Sequence, residues 1–81
     1  MISCEQHDYI ELVCTYHYPI KLSLKSGVIV EGVAADICID DKRIECIKLL
    51  NQGAEILVSL DSILELSVCV DNPYLKFISF A

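Results

Sequence analysis

The hydrophobic period of this chain changes once, at Pro19, and that change limits the fold more than any other feature of the sequence. Before it, Ile10, Val13, Cys14 and His17 fall at i, i+3, i+4 and i+7, the stripe of one helical face. Asp8 followed by Glu11 has the spacing of a capping box, in which each side chain satisfies an orphan backbone N–H. Together they predict a helix of about nine residues, ended by Pro19 because the residue before a proline avoids the helical region. A helix this short does not stand alone in water and must pack on something else.

From Ile20 the period is two. Ile20, Leu22 and Leu24 alternate with Lys21, Ser23 and Lys25, as in a half-buried strand. Ser26-Gly27 predicts a tight turn, and Val28 to Ile37 a longer strand that Gly32 is expected to bend or bulge. Asp40-Asp41-Lys42 gives the next turn, Arg43 to Leu50 the third strand, and Asn51-Gln52-Gly53 another turn. Ile56, Val58 and Leu60 share one face of a fourth strand. Asp61-Ser62 is a very short connection, and Leu64, Leu66, Val68 and Val70 mark a fifth strand that Asn72-Pro73 ends. The apolar tail, Tyr74 to Phe80, is expected to add a sixth strand or to cover a sheet edge, with self-association through that edge as a further option. The whole pattern predicts a mainly β, small α+β fold: a short N-terminal helix followed by a five-stranded, bent antiparallel barrel.

At 81 residues the chain has length for one domain and no room for a second core. It divides into an acidic segment and helix (1–18), the barrel (19–70) and the apolar tail (71–81). An apolar fraction of 54%, with three Gly and two Pro, excludes a disordered chain. Twelve acidic against six basic residues, net charge −6, argue against nucleic acid as partner and for a basic protein surface. Residues 1–8 lack the cationic and apolar regions of a signal peptide, no apolar run reaches roughly 18–20 residues, and a cytoplasmic address is expected. The five cysteines, an odd number mostly within apolar strand patterns, are expected to be reduced and to behave as small buried hydrophobes.

Cys4-x-x-His7 and Cys14-x-x-His17 carry the residue types of a zinc site. Their spacing works against it, because a helix over 8–16 sets Cys4 and Cys14 on separate turns and no knuckle glycine shapes a chelate. A core thiol and a histidine at the helix end are expected instead, with no metal and no cofactor. No nucleophile elbow, phosphate loop or HExxH helix is present, and no enzyme is expected. The charged candidates are Glu5, Asp8 and Glu11, in a stretch whose first 20 residues hold no Lys or Arg, and the cluster Asp40-Asp41-Lys42-Arg43.

The run Ile20-x-Leu22-x-Leu24-x-x-Gly27-x-x-x-x-Gly32-x-x-x-Asp36 resembles the first signature of the Sm-like fold. The second signature, an apolar run ending in Arg-Gly that holds RNA bases in Sm and Hfq-type proteins, is missing: its place reads Leu60-Asp61-Ser62-Ile63-Leu64. A narrower resemblance begins at Ile2-Ser3-Cys4-Glu5-x-x-Asp8-x-Ile10-Glu11-x-x-Cys14-x-x-His17 and continues through the strand pair Leu22 to Asp36. Over about residues 2 to 66 the chain is similar to the Rho-binding antiterminator family (Rof, also called YaeO). These are small acidic Sm-like proteins that bind the bacterial transcription termination factor Rho.

The resemblance implies docking on the N-terminal RNA-binding domain of Rho, competition with the nascent transcript, and reduced Rho-dependent termination. The residues expected to touch Rho are Glu5, Asp8, Tyr9 and Glu11, joined by Asp40, Asp41 and Arg43 from a loop region that Sm-like proteins use for recognition. Asp36 is expected to bond local backbone instead. Carboxylates on a rigid scaffold can stand where an RNA-binding surface expects phosphates, and Tyr9, Tyr16 or Ile10 are candidate apolar anchors. A monomer is expected. The alternatives are an Sm/Hfq-like RNA-binding oligomer and an acidic interaction module with another partner.

Overall fold

The computed structural model describes residues 4–72 and 77–80. The one α-helix among these residues, α1 (Cys4–Thr15), is longer than the capping pattern predicts. Asp8 lies in its second turn, so Asp8 and Glu11 form no capping box; burial of Ile10, Val13 and Cys14 against the sheet outweighs the local cap signal. The helix also ends differently. Tyr18 N–H donates to Val13 O at 3.0 Å and His17 N–H to Cys14 O at 3.2 Å, while His17 adopts φ +52°. This is a Schellman closure with histidine in the left-handed position usually held by glycine, and it stops α1 before Pro19 is reached. His17 thus sits past the helix, not on its buried stripe.

Six antiparallel strands follow: β1 (Pro19–Leu24), β2 (Ile29–Ile39), β3 (Glu45–Asn51), β4 (Ala54–Ser59), β5 (Ile63–Val68) and β6 (Phe77–Ser79). Their order in one open sheet is β4-β3-β2-β1-β5-β6, and a single 3₁₀ turn, Leu60–Ser62, joins β4 to β5. The tail both adds a sixth strand and covers an edge, since Ile78 lies opposite Leu66 on β5. Pro73, expected to end β5, and Tyr74 to Lys76 of the tail lie outside the described residues; β5 itself ends at Val68, leaving Val70 exposed.

Two glycines separate the expected from the observed bends. The register of β2 against β3 slips between Ala34 and Asp36, so the bulge falls at Ala35 and not at Gly32. Gly32 serves a close approach instead: a Cβ there would stand 3.0 Å from Leu50 O and 3.1 Å from Leu49 Cβ. Gly53 follows the expectation. Gln52 (φ +50°) and Gly53 (φ +83°) form the two-residue turn between Asn51 and Ala54, with both residues in the left-handed region as a type I′ hairpin requires.

The core lies between α1 and the curved sheet. Ile10 and Val13 meet Ile20, Leu22, Ala34, Ile47, Leu49 and Leu66, all essentially without solvent contact. Burying each of the larger of these side chains contributes about 1.5–3 kcal/mol, which fixes α1 as a rigid platform. All five cysteines are free. Only Cys14 and Cys46 are buried, whereas Cys38 is half-buried and Cys4 and Cys69 are exposed, so the expectation of buried cysteines holds for two positions. No helix among the described residues is long and apolar enough to cross a membrane.

Candidate functional site

A helix turns about 100° per residue. With Ile10, Val13 and Cys14 facing the core, Asp8 points away from it, and Glu5 and Glu11, three residues to either side, flank Asp8 on the outer face. All three carboxylates are exposed. Glu5 lies on the flank toward β6, where the Tyr9 hydroxyl donates to its Oε1 at 3.5 Å and Gln6 Nε2 donates to Ser79 O at 3.3 Å. Glu5, Gln6 and Tyr9 line a shallow cleft there with Phe77, Ile78 and Ser79.

Glu11 lies on the opposite flank, where His7 joins it to the sheet. His7 Nδ1 is 3.3 Å from Glu11 Oε1, and its Nε2 is 3.1 Å from Glu45 Oε2 at the start of β3. With a carboxylate at each ring nitrogen, only the protonated imidazolium donates to both at once. Glu45 is a member of this acidic surface that the sequence pattern does not single out. It stands 38 residues from His7, and a glutamate opening a strand carries no local signal for such a contact.

The β2–β3 connection separates its charges. Asp40 N–H donates to Ile44 O at 3.0 Å, and Arg43 N–H to Asp40 O at 3.0 Å. Asp40 Oδ1 accepts from Lys42 N–H at 2.8 Å and from Ile44 N–H at 2.9 Å. The half-buried Asp40 carboxylate therefore holds its own turn. Arg43, expected to open β3, sits in that turn with φ +62°, and β3 starts at Glu45. Asp41, Lys42 and Arg43 face solvent. The His7–Glu45 contact places the foot of this hairpin against α1 and so links the two charged clusters.

The candidate anchors divide in the same way. Ile10 has no exposed surface and cannot reach a partner, which removes it as an anchor. Tyr9 is half-buried beside Glu5. Tyr16 is exposed and stacks on Tyr18, with ring centroids 5.5 Å apart and planes 17° from parallel, and Tyr18 packs on the core. Asp36 Oδ1 accepts from Ile37 N–H at 2.8 Å, the local backbone bond expected of it.

The four residues of the Cys-x-x-His pairs go separate ways. Cys4 is exposed, His7 meets Glu11 and Glu45, and His17 Nδ1 is 3.1 Å from Ala34 O. Cys14 is buried, its thiol pushed up to about 11 by that burial first and by the Asp36 and Glu11 carboxylates second. Among the described residues no group of three His, Cys, Asp or Glu is placed to hold a metal ion.

The family model "Modulator of Rho-dependent transcription termination (ROF)" matches residues 1–80. The chain belongs to the ROF family. This match takes in the apolar tail, which the resemblance over about residues 2 to 66 leaves out. A solved structure, "YaeO bound to Magnesium from Vibrio cholerae O395", is similar to the chain with 36% identity and a TM-score of 0.88, over 91% of this chain and 96% of that one. No curated protein matches. The family is one of regulators of Rho-dependent termination and not of enzymes.

Proposed function

We propose that this protein binds Rho directly, with the outer face of α1 and the β2–β3 hairpin docked on the N-terminal RNA-binding domain of Rho. There it competes with the transcript and lowers termination in the bacterial cytoplasm. The observation that carries this reading is the placement of Glu5, Asp8 and Glu11 on the solvent face of a helix whose other face is locked into the core. Carboxylates at i, i+3 spacing on a helix repel one another, and the contacts of Glu5 with Tyr9 and of Glu11 with His7 leave all three exposed. A cationic groove shaped for phosphates offers opposite charge to all three at once.

Attraction of this kind steers the encounter and is screened over about 8 Å at physiological salt. Exposed ion pairs contribute only about 0–1 kcal/mol each, so affinity also needs desolvated anchors, and Tyr9 and Tyr16 fill that role. Asp41 and Arg43 add contacts from the hairpin, while Asp40 positions them. In this reading the protein acts as a monomer; β6 shields β5, and β4 and β6 are themselves the edges of the open sheet through which two copies would have to pair.

Pull-down with Rho and with its isolated N-terminal domain, in the presence and absence of oligocytidine, tests the reading. The expected outcome is capture by both forms and release by the RNA. Replacing Glu5, Asp8 and Glu11 together with Ala should weaken the complex at least about tenfold, or 1.4 kcal/mol, without unfolding the protein. Affinity should also fall as salt rises from about 50 to 300 mM. Undiminished binding of the triple variant would move the interface elsewhere, and binding of poly(C) or poly(U) by this protein alone would favour an RNA-binding role.

A further inference from the structure

Cys38 on β2 and Cys46 on β3 are direct cross-strand partners. The hairpin closes with the Asp40 N–H···O Ile44 bond. Two residues further along each strand, the cysteine pair belongs to the same hydrogen-bonded class of an antiparallel ladder, where the Cα atoms stand about 5.5 Å apart. That lies inside the roughly 4.4–6.8 Å window over which a disulfide can close. Directly opposed side chains project from the same face of a sheet. Their sequence neighbours Ile37 and Ile47, also cross-strand partners, pack in the core, so the two thiols lie on the other face. Cys38 is half-buried and reachable from solvent. Cys46 is covered by the hairpin, its Sγ 3.5 Å from Ile44 O and 4.0 Å from Asp40 Oδ2. Its thiol is pushed up by burial, then by Asp40, then by Cys38.

We propose that Cys38 and Cys46 are a paired modification site, closing to an intramolecular disulfide when the protein meets a low-molecular-weight disulfide such as oxidised glutathione. The Cys38 thiolate attacks one glutathione sulfur, forms a mixed disulfide and releases one glutathione thiolate. Cys46 then gives its proton to solvent, its thiolate attacks Cys38 Sγ, and the second glutathione thiolate leaves. Two protein thiols are oxidised and one glutathione disulfide is reduced to two thiols. The hydrogen-bonded ladder position holds the Cβ atoms wider than a relaxed disulfide prefers, so the bond is strained and readily reversed by reductant. Closed, it ties the two strands next to the turn that carries Asp41 and Arg43.

The whole chain, incubated with oxidised glutathione, then denatured and blocked with an alkylating reagent, should lose the mass of two hydrogen atoms and retain three alkylatable thiols. Trypsin cuts after Lys42 and Arg43, between the two cysteines, so the bond should appear as peptide 26–42 joined to peptide 44–48 and should vanish with dithiothreitol. The Cys4→Ser/Cys69→Ser variant should behave like the parent, whereas Cys38→Ser and Cys46→Ser should each fail to lose the two hydrogens. Glutathione adducts confined to Cys4 and Cys69, a link between any other pair, or an unmodified 38–46 pair would overturn the proposal.

Discussion

Asp8 and Asp40 are both aspartates in short charged clusters, and the two regions use them in opposite ways. Asp40 accepts hydrogen bonds from two backbone N–H groups of its own turn. Asp8 stands on the outer face of α1 between Glu5 and Glu11, exposed. The difference comes from the backbone around each. Past its first turn a helix has already paired its N–H groups with the carbonyls four residues back, so a carboxylate there finds no local donor. A hairpin turn leaves donors unpaired, and a short acidic side chain takes them. At Asp8 the negative charge is therefore left for a partner, whereas at Asp40 it is consumed by the fold.

The largest expected effect tests the turn. Asp40→Ala leaves two backbone N–H groups without their acceptor and should cost about 1–3 kcal/mol in urea unfolding, with Asp40→Asn, which keeps an acceptor oxygen, recovering part of it. Unchanged stability in Asp40→Ala would collapse the distinction between the two regions.

The alkaline limb of stability reports the burial of Cys14 beneath α1, reinforced by Asp36 on β2 and then by Glu11 on α1. In the folded protein the Cys14 thiol lies above its ordinary value of 9.0, at about 11. Between these values the folded state holds a proton that the unfolded state has lost, so stability is complete below about pH 9 and falls as pH rises toward 11. Thermal unfolding across that interval should show the decline, and Cys14→Ala should flatten it.

Smaller still is the link between the regions. A double-mutant cycle of His7→Gln and Glu45→Gln should give a coupling of about 0.2–1 kcal/mol that shrinks with salt. A zero coupling at low salt would separate the hairpin from α1. Least of all, Asp8→Ala should change stability by no more than about 0.5 kcal/mol while reducing Rho affinity, measured by titration. A large loss of stability there would make Asp8 structural after all.

The strand elements are legible in the sequence because alternation is a local property: Ile20, Leu22 and Leu24 mark β1, and Asn51-Gln52-Gly53 marks the turn into β4. The ends of α1 are not. Asp8 and Glu11 carry a cap signal that burial of the stripe overrides, and His17 occupies a left-handed position that glycine usually announces. Gly32 has the pattern of a bend, yet its purpose is the passage of Leu50 O, a neighbour 18 residues on that no local pattern reveals. In the site, Glu5, Asp8, Glu11, Asp41 and Arg43 lie exposed, as their place in charged segments predicts. Ile10 and Asp40 do not, since one belongs to the core and the other to its turn.

Hydrophobic period and turn residues settled the fold class, composition the surplus of negative charge, and the run from Cys4 to His17 the resemblance to the family, because each can be read along the chain without its fold. Only the folded sheet decided that His7 meets Glu45, that Cys38 faces Cys46, and which carboxylates still look outward. Those outcomes depend on strand register and on the angle at which α1 packs. Both emerge from contacts between distant segments, where a one-residue slip would turn every side chain to the other face.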